Sequence, residues 1–173
     1  MRYFQFVAAW CGLSLLLGCS PTFNWRDVHP DQAPLTALFP CKPEQSSRRI
    51  ALAAKDVMMT MLTCDAGQAT FTLAMAETND ASSTGAVLRQ WKSATLGNMQ
   101  AVTSNERLFA LKRASGLPPP VQVLASGTRP DGTALTLQAV WFATGSQVFQ
   151  AAVVANATNP AVADTYFAGL QLQ

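Results

Sequence analysis

Cysteine and histidine have the widest chemical range of the side chains in this sequence, and both are scarce. The 173 residues include one histidine, His29, and four cysteines, Cys11, Cys19, Cys41 and Cys64. A single histidine cannot build a His-rich metal or catalytic cluster. The strongest signal in the sequence lies in its first nineteen residues, which end at Cys19.

The N-terminal segment has the composition of an export signal. Arg2 gives it a positive start, and residues 4–17 are apolar apart from Gln5 and Ser14. As a helix this run would reach about 21 Å, short of a hydrocarbon core of about 30 Å. The pattern therefore favours a secretory signal over a transmembrane anchor.

The signal ends in the sequence LLGC at Cys19, which resembles the lipobox of bacterial lipoproteins. Gly18 is the small residue expected before the cysteine, whereas Leu17 stands where smaller residues are commoner. The resemblance implies that residues 1–18 are a lipoprotein signal peptide and that Cys19 is acylated. Ser20 in the next position, rather than Asp, implies attachment to the bacterial outer membrane rather than the inner membrane, with the protein facing the periplasm.

Acylation would make the membrane a partner of this protein. Each buried methylene contributes about 0.8 kcal/mol, and a single chain binds only marginally, so several chains are needed for a stable anchor. On this interpretation residues 19–34 are the lipidated N-terminus and a linker, and residues 35–173 form one globular domain. An ordinary signal peptide that contains a cysteine is the alternative.

Cys41 and Cys64 remain once Cys11 is removed with the signal and Cys19 carries lipid. An exported compartment is oxidising, so we expect these two residues to form a disulfide. Closing that loop would stabilise the fold by about 3 kcal/mol. A buried pair of free thiols and a pair of metal thiolates are the alternatives, although one histidine cannot complete a four-ligand zinc site with them.

Met58, Met59 and Met61 are the candidate metal ligands. Thioether sulfur is a soft ligand that selects Cu(I). All three lie in one predicted strand, where Met58 and Met59 point to opposite faces, so packing in the core is the preferred interpretation. We expect no metal and no other cofactor.

The candidates for catalysis also have simpler explanations. His29 with Asp27 or Asp31 could act as a general base, but no nucleophile is nearby, and a solvated histidine explains the pattern. Glu77 and Asp80 fit a solvated turn. The sequence has no Gly-x-Ser-x-Gly elbow, no Ser-x-x-Lys pair and no phosphate-loop lysine. We therefore expect no enzymatic activity.

Charge and hydropathy exclude two further classes of protein. Hydrophobic residues make up 49% of the sequence and charged residues 13%, which excludes an intrinsically disordered chain. The formal net charge is +2, with no basic tract. The sequence therefore lacks the electrostatic pattern of a nucleic-acid-binding protein.

The periodicity predicts an α+β domain, in which an antiparallel sheet carries one main amphipathic helix and a C-terminal helix. Lys55-Asp56 is the expected turn of the first hairpin, and Ser82 or Ser83 is the expected cap of the main helix. Helices are predicted at 81–99 and 160–167. Strands are predicted at 35–39, 49–54, 57–64, 69–76, 108–111, 121–127, 133–143, 146–155 and 170–172.

This order of elements resembles the PsbP-like α/β/α sandwich. The sequence FPCKP at 39–43 and the pair Tyr166-Phe167 carry the resemblance, although Cys41 stands where PsbP-like proteins often have glycine. In addition, NWR at 24–26 and WFATGSQVFQA at 141–151 resemble uncharacterised proteobacterial envelope lipoproteins. The PsbP-like resemblance implies a protein that assists a larger complex.

The expected function is therefore a lipid-anchored accessory or binding module that faces the periplasm and has an envelope protein as a possible partner. A carrier of a small ligand or of Cu(I) is the alternative. It would use an apolar or methionine-lined pocket between helix 81–99 and the sheet.

Overall fold

A seven-stranded antiparallel sheet is the largest element of the computed structural model, which describes residues 21–31, 33–53, 55–114, 118–157 and 159–173. Its strand order is β3-β4-β5-β9-β8-β7-β6, and a smaller sheet has the order β1-β2-β10. The strands are β1 (Arg26–Val28), β2 (Leu35–Phe39), β3 (Glu44–Leu52), β4 (Lys55–Ala66), β5 (Ala69–Glu77), β6 (Thr103–Leu108), β7 (Val121–Thr128), β8 (Ala134–Thr144), β9 (Gln147–Ala155) and β10 (Gln171–Leu172).

The large sheet is buried on both faces, as strand β5, next to its central strand, shows. Ala74 and Ala76 belong to one hydrophobic cluster, whereas Phe71, Leu73 and Met75 belong to another. Because successive side chains of a strand point to opposite faces, the two clusters lie on opposite sides of the sheet. We call the side of Ala74 the first face and the side of Phe71 the second face.

One helix lies on each face of the sheet. Helix α1 (Thr84–Asn98) packs on the first face through Val87, Leu88 and Trp91, the three residues that the helical spacing predicted. Helix α2 (Pro160–Ala168) packs on the second face together with the small sheet. The predicted α+β class, with an antiparallel sheet, a main helix and a C-terminal helix, is therefore confirmed.

The first helix begins later than the sequence suggested. Ala81–Ser83 form a 3₁₀ turn, and the carboxylate of Asp80 caps it by accepting a hydrogen bond from the Ser82 amide over 2.9 Å. Ser83 precedes α1 but makes no side-chain capping bond. The expected serine cap is therefore wrong, because an aspartate one turn earlier provides the acceptor.

Two strand boundaries also differ from the prediction. The hairpin turn expected at Lys55-Asp56 lies earlier, because Leu52 pairs with Lys55 and Ala53 adopts a positive φ of 52°. Strand β6 was expected at 108–111 but spans Thr103–Leu108. All six of its residues are exposed, so this edge strand has no alternating apolar pattern in the sequence.

The stretch 19–34 that was interpreted as a linker includes a strand, β1, and other residues that pack on the domain. Strand β1 pairs with β2, and the Asn24 amide donates a hydrogen bond to the Pro40 carbonyl over 2.7 Å. Phe23 lies against Gly67, where a Cβ atom would overlap its ring. Within the described ranges, no helix is both long and apolar enough to cross a membrane.

Candidate binding site

Of the cysteines, Cys41 and Cys64 form a disulfide, as predicted, with Cα atoms 6.0 Å apart. Cys64 is buried in the second-face cluster, and Cys41 packs against that cluster. The disulfide therefore ties the segment after β2 to the middle of the sheet. Cys19, the predicted lipid attachment site, and Cys11 lie outside the described residues.

The three candidate methionine ligands are not brought together. Met59 is buried with the first-face cluster and Met61 packs against it, whereas Met58 is 51% exposed and, by strand alternation, lies on the second face. Three thioethers divided in this way cannot converge on one ion. In the described part of the chain, no group of three or more His, Cys, Asp or Glu residues is placed to hold a metal.

The catalytic candidates form local hydrogen bonds. His29 is exposed, and its Nδ1 lies 3.1 Å from the Thr36 hydroxyl. Glu77 accepts from the Asn79 amide, and hydrogen bonds from the Ser82 hydroxyl and amide hold the pKa of the Asp80 carboxyl below its usual value. The structure thus places these groups in turns and strand ends, where their bonds stabilise the local backbone.

A groove on the second face is the most elaborate polar site among the described residues. Helix α2 and the small sheet cover the strands in the middle of the sheet, and β6 and β7 at one edge remain open on this side. The groove has two lobes, of about 420 Å³ and about 350 Å³, which share Arg107, Gln122 and Asp164. It runs between α2 and the β6 edge of the sheet.

The strand register explains why these side chains meet. Arg107 on β6 is directly opposite Gln122 on β7, and Leu124 on β7 is directly opposite Gln138 on β8. Directly opposed residues point to the same face, so the three strands project their polar side chains side by side. Asp164 faces them from α2, and Leu124, 47% exposed, gives the floor of the groove an apolar patch.

Arg107 and Asp164, the two charged residues that both lobes share, do not form a salt bridge with each other. The guanidinium of Arg107 donates from Nε to Oε1 of Gln122 over 2.9 Å. Among the described residues, the one salt bridge joins Lys92 to Glu106, so Arg107 and Asp164 form none with each other. A cation and an anion therefore line one groove with their charges available to a ligand.

Two amides complete the site. Gln122 is 5% exposed and Gln138 is 9% exposed, so both are largely withdrawn from solvent. Both side chains line the groove, where an amide group can donate a hydrogen bond to a ligand and accept one from it.

A smaller cavity lies between α1 and the sheet. It has a volume of about 220 Å³ and includes Leu88, Arg89 and Lys92 of α1 with Pro118 and Trp141 in its wall. The indole Nε1 of Trp141 is buried and has no hydrogen-bonding partner. This atom is enclosed by the wall, so a ligand could reach it only if neighbouring side chains moved.

The groove residues were missed in the sequence because no local motif contains them. They come from β6, β7, β8 and α2, which are far apart in the chain. One signal was present, since Gln122 and Gln138 interrupt strands that are otherwise apolar. Glutamine at the buried positions of a strand is uncommon and indicates a polar cavity.

In comparisons with known proteins, no family model and no curated protein matches this sequence. A proposal for its function rests on the N-terminal sequence and on the groove.

Proposed function

We propose that this protein is a lipid-anchored binding module that faces the periplasm, is held by acylated Cys19, and performs no catalysis of its own. Its binding site is the groove of Arg107, Gln122, Gln138 and Asp164. The single observation that carries the proposal is that Arg107 and Asp164 line one groove, beside the amide of Gln138, without forming a salt bridge with each other. Such a set recognises polar groups, and no nucleophile with an adjacent base accompanies it.

The disulfide supports export. Disulfides form and persist in oxidising compartments such as the periplasm and are rare in the cytosol. Cys41 and Cys64 are the two cysteines that keep their thiols after processing and acylation at Cys19. The outer membrane is the proposed location, because Ser20 rather than Asp follows the lipid-bearing residue.

The early start of the fold supports a position close to the membrane. The hydrogen bond from the Asn24 amide holds the chain five residues after Cys19. At full extension those five residues would span about 17 Å. A domain on so short a tether would stay near the membrane surface, where an accessory protein can meet other envelope proteins.

Helices on both faces of an antiparallel sheet also fit the PsbP-like α/β/α sandwich suggested by the sequence. We include this fold family in the proposal, with the accessory role that it implies. Analogy at the level of the fold does not specify a ligand, so the groove remains the basis of the binding function.

Membrane attachment is tested by expressing the full chain in a Gram-negative host with labelled palmitate. We expect the label to enter the parent protein, which sediments with outer membranes. Cys19→Ala should be unlabelled and unprocessed. A parent protein that is unlabelled and recovered in the soluble periplasm would overturn the anchor.

The binding surface is tested by a photo-crosslinking amino acid at Leu124, in the groove. Met58 provides the matched control, because it has similar exposure on the same face, 51% against 47%, but lies far from the groove along the sheet. We expect position 124 to cross-link to a defined envelope component and position 58 not to do so. Equal patterns from both positions would contradict a role for the groove.

A second candidate function is a small-ligand carrier that uses the cavity beneath α1. The unpartnered Nε1 of Trp141 is the observation that favours it. Trp141→Phe keeps the ring and removes the N–H group, so it should abolish ligand binding if the cavity is the site. The Cu(I) version needs Met58, Met59 and Met61 at one ion, and a titration in which Met59→Leu lowers Cu(I) affinity would support it.

A further inference from the structure

We propose that the groove binds a short zwitterionic peptide, with the peptide carboxylate at Arg107 and the peptide ammonium at Asp164. This inference rests on the proposed binding function of the groove and not on lipid attachment. It follows from three features of the site: its size, the sign and position of its charges, and its buried amides.

The size favours a peptide of a few residues over a single amino acid. The two lobes have volumes of about 420 Å³ and about 350 Å³ and are joined at Arg107 and Asp164. Sites for small molecules span about 300–1,000 Å³, so each lobe alone approaches the usual size of a complete site. An elongated ligand with two ends uses both lobes.

The charges divide the groove into two ends. The larger lobe contains Lys112 in addition to Arg107, so cations predominate there. The smaller lobe lacks Lys112 and contains Asn105 and Gln138 near Asp164. A carboxylate is therefore favoured in the larger lobe and an ammonium group in the smaller one, because charge-assisted hydrogen bonds are about twice as strong as neutral ones.

The remaining wall suits the middle of a peptide. Phe109 and Phe167 line the larger lobe with apolar rings, which would accommodate an apolar side chain beside the carboxylate. Gln138 has both a donor and an acceptor on its amide, the same pair that a peptide bond presents. A peptide amide would therefore exchange hydrogen bonds with the amide of Gln138.

The proposal is tested by calorimetric titration of the full-length protein in detergent micelles with the dipeptide alanyl-phenylalanine. Three probes accompany it: N-acetyl-alanyl-phenylalanine lacks the ammonium, alanyl-phenylalanine amide lacks the carboxylate, and free phenylalanine lacks the peptide bond. We expect the dipeptide to bind and each probe to bind about tenfold more weakly or worse.

Two variants assign the ends of the ligand. Arg107→Gln should bind the dipeptide and its amide with more nearly equal affinity, because Lys112 is then the one remaining cation that lines the larger lobe, and Asp164→Asn should bind the dipeptide and its acetylated form with equal affinity. Loss of discrimination between two ligands is not an effect that general destabilisation produces. Arg48→Gln, on the exposed strand β3, and Asp56→Asn, at the distant hairpin, are the matched controls and should bind like the parent protein.

A third variant separates binding from folding. Gln138→Leu replaces a buried amide with an apolar side chain, so the free energy of unfolding should be unchanged or higher while dipeptide affinity falls about tenfold. A purely structural glutamine would give the opposite result, lower stability with unchanged affinity.

The inference is overturned if the dipeptide gives no binding at millimolar concentration, or if all four ligands bind equally. This result would leave palmitate labelling and the cross-links from position 124 unaffected, so the ligand class can fail while the anchored binding module stands.

Discussion

The two faces of the large sheet are built from different residues and leave different surfaces. The first face is rich in alanine, with Ala74, Ala76, Ala139 and Ala152 beneath a single helix. The second face is rich in aromatic residues, which fill the space below α2 and the small sheet. Small side chains let α1 lie close to the strands, whereas the thicker second layer stops short of β6 and β7 and leaves the groove.

The centre of the second face stabilises the fold, and the open edge of the same face forms the groove that we propose as the binding site. The aromatic part of the second face holds α2 in place, and α2 in turn presents Asp164 to the groove. The ring of Tyr166 packs edge-on against Phe39 and Phe71, with centroids 5.5 Å and 5.4 Å away. Truncating a side chain in the centre of the second face should therefore lower the free energy of unfolding more than truncating one on the first face. Truncation at the open edge of the second face, in β6 and β7, should lower it less.

The largest expected effect comes from truncating the aromatic centre. Phe149 is fully buried and stacks on Phe142 with centroids 4.9 Å apart, so Phe149→Ala should lower the free energy of unfolding by about 3–5 kcal/mol. On the first face, Leu88→Ala should lower it by only about 2 kcal/mol, because Leu88 already borders a cavity. Urea unfolding measures both. Equal losses of unfolding free energy in the two variants would contradict the proposed difference between the faces.

The disulfide is the next largest contribution to the second face. Cys41→Ser with Cys64→Ser should lower the free energy of unfolding by about 3 kcal/mol, because the open loop gives the unfolded chain more freedom. The parent protein should lose a similar amount in dithiothreitol, whereas the double variant should be indifferent to it. A parent protein whose stability ignores the reductant would show that the disulfide contributes nothing.

A pH-dependent effect is expected at Tyr166. Its hydroxyl donates to the Thr72 carbonyl over 2.7 Å, and burial raises the pKa of Tyr166 above its ordinary value of 10.0. Above pH 10 the unfolded chain releases this proton while the folded chain keeps it, so stability should fall as pH rises. Tyr166→Phe should lower stability at pH 7 by about 1–2 kcal/mol. In denaturant titrations from pH 8 to pH 11, its stability should fall less steeply than that of the parent; parallel curves would contradict the assignment.

The smallest expected effect is at the start of α2. The Asn159 side chain accepts from the Val162 amide over 3.4 Å, a long capping bond. Asn159→Ala should lower the free energy of unfolding by about 0.5 kcal/mol, at the low end for a cap, and Asn159→Asp should preserve it. Thermal unfolding can resolve the two variants. A loss of several kcal/mol would mean that the helix start, rather than the aromatic centre, holds α2.

Much of the fold could be predicted because its central strands are apolar runs bounded by turn residues, and β5 in addition has large apolar side chains at alternate positions. The spacing alone predicts the burial of Phe71 and Leu73 in β5 and of Val87 and Trp91 in α1. Strand β6 could not be found this way, because an exposed edge strand buries no side chain and needs no apolar period. Its place is set by pairing with β7, a contact between segments separated by a long connection.

The candidate site was much less predictable than the fold. Arg107 and Asp164 lie in segments that have no functional pattern of their own, and only the antiparallel register and the packing of α2 bring them to one groove. The methionines illustrate the reverse case. They are adjacent in sequence, but strand alternation separates Met58 from Met59, as the period of two predicts.

Attachment at Cys19 is the central claim, because it determines both the compartment in which the disulfide forms and the molecules that can reach the groove. Mass spectrometry of the N-terminal peptide of the protein purified from membranes tests it most directly. The account predicts a peptide that begins at Cys19 and carries a diacylglyceryl thioether and an acylated amino group. A peptide that begins at another residue, or that contains an unmodified Cys19, would contradict it.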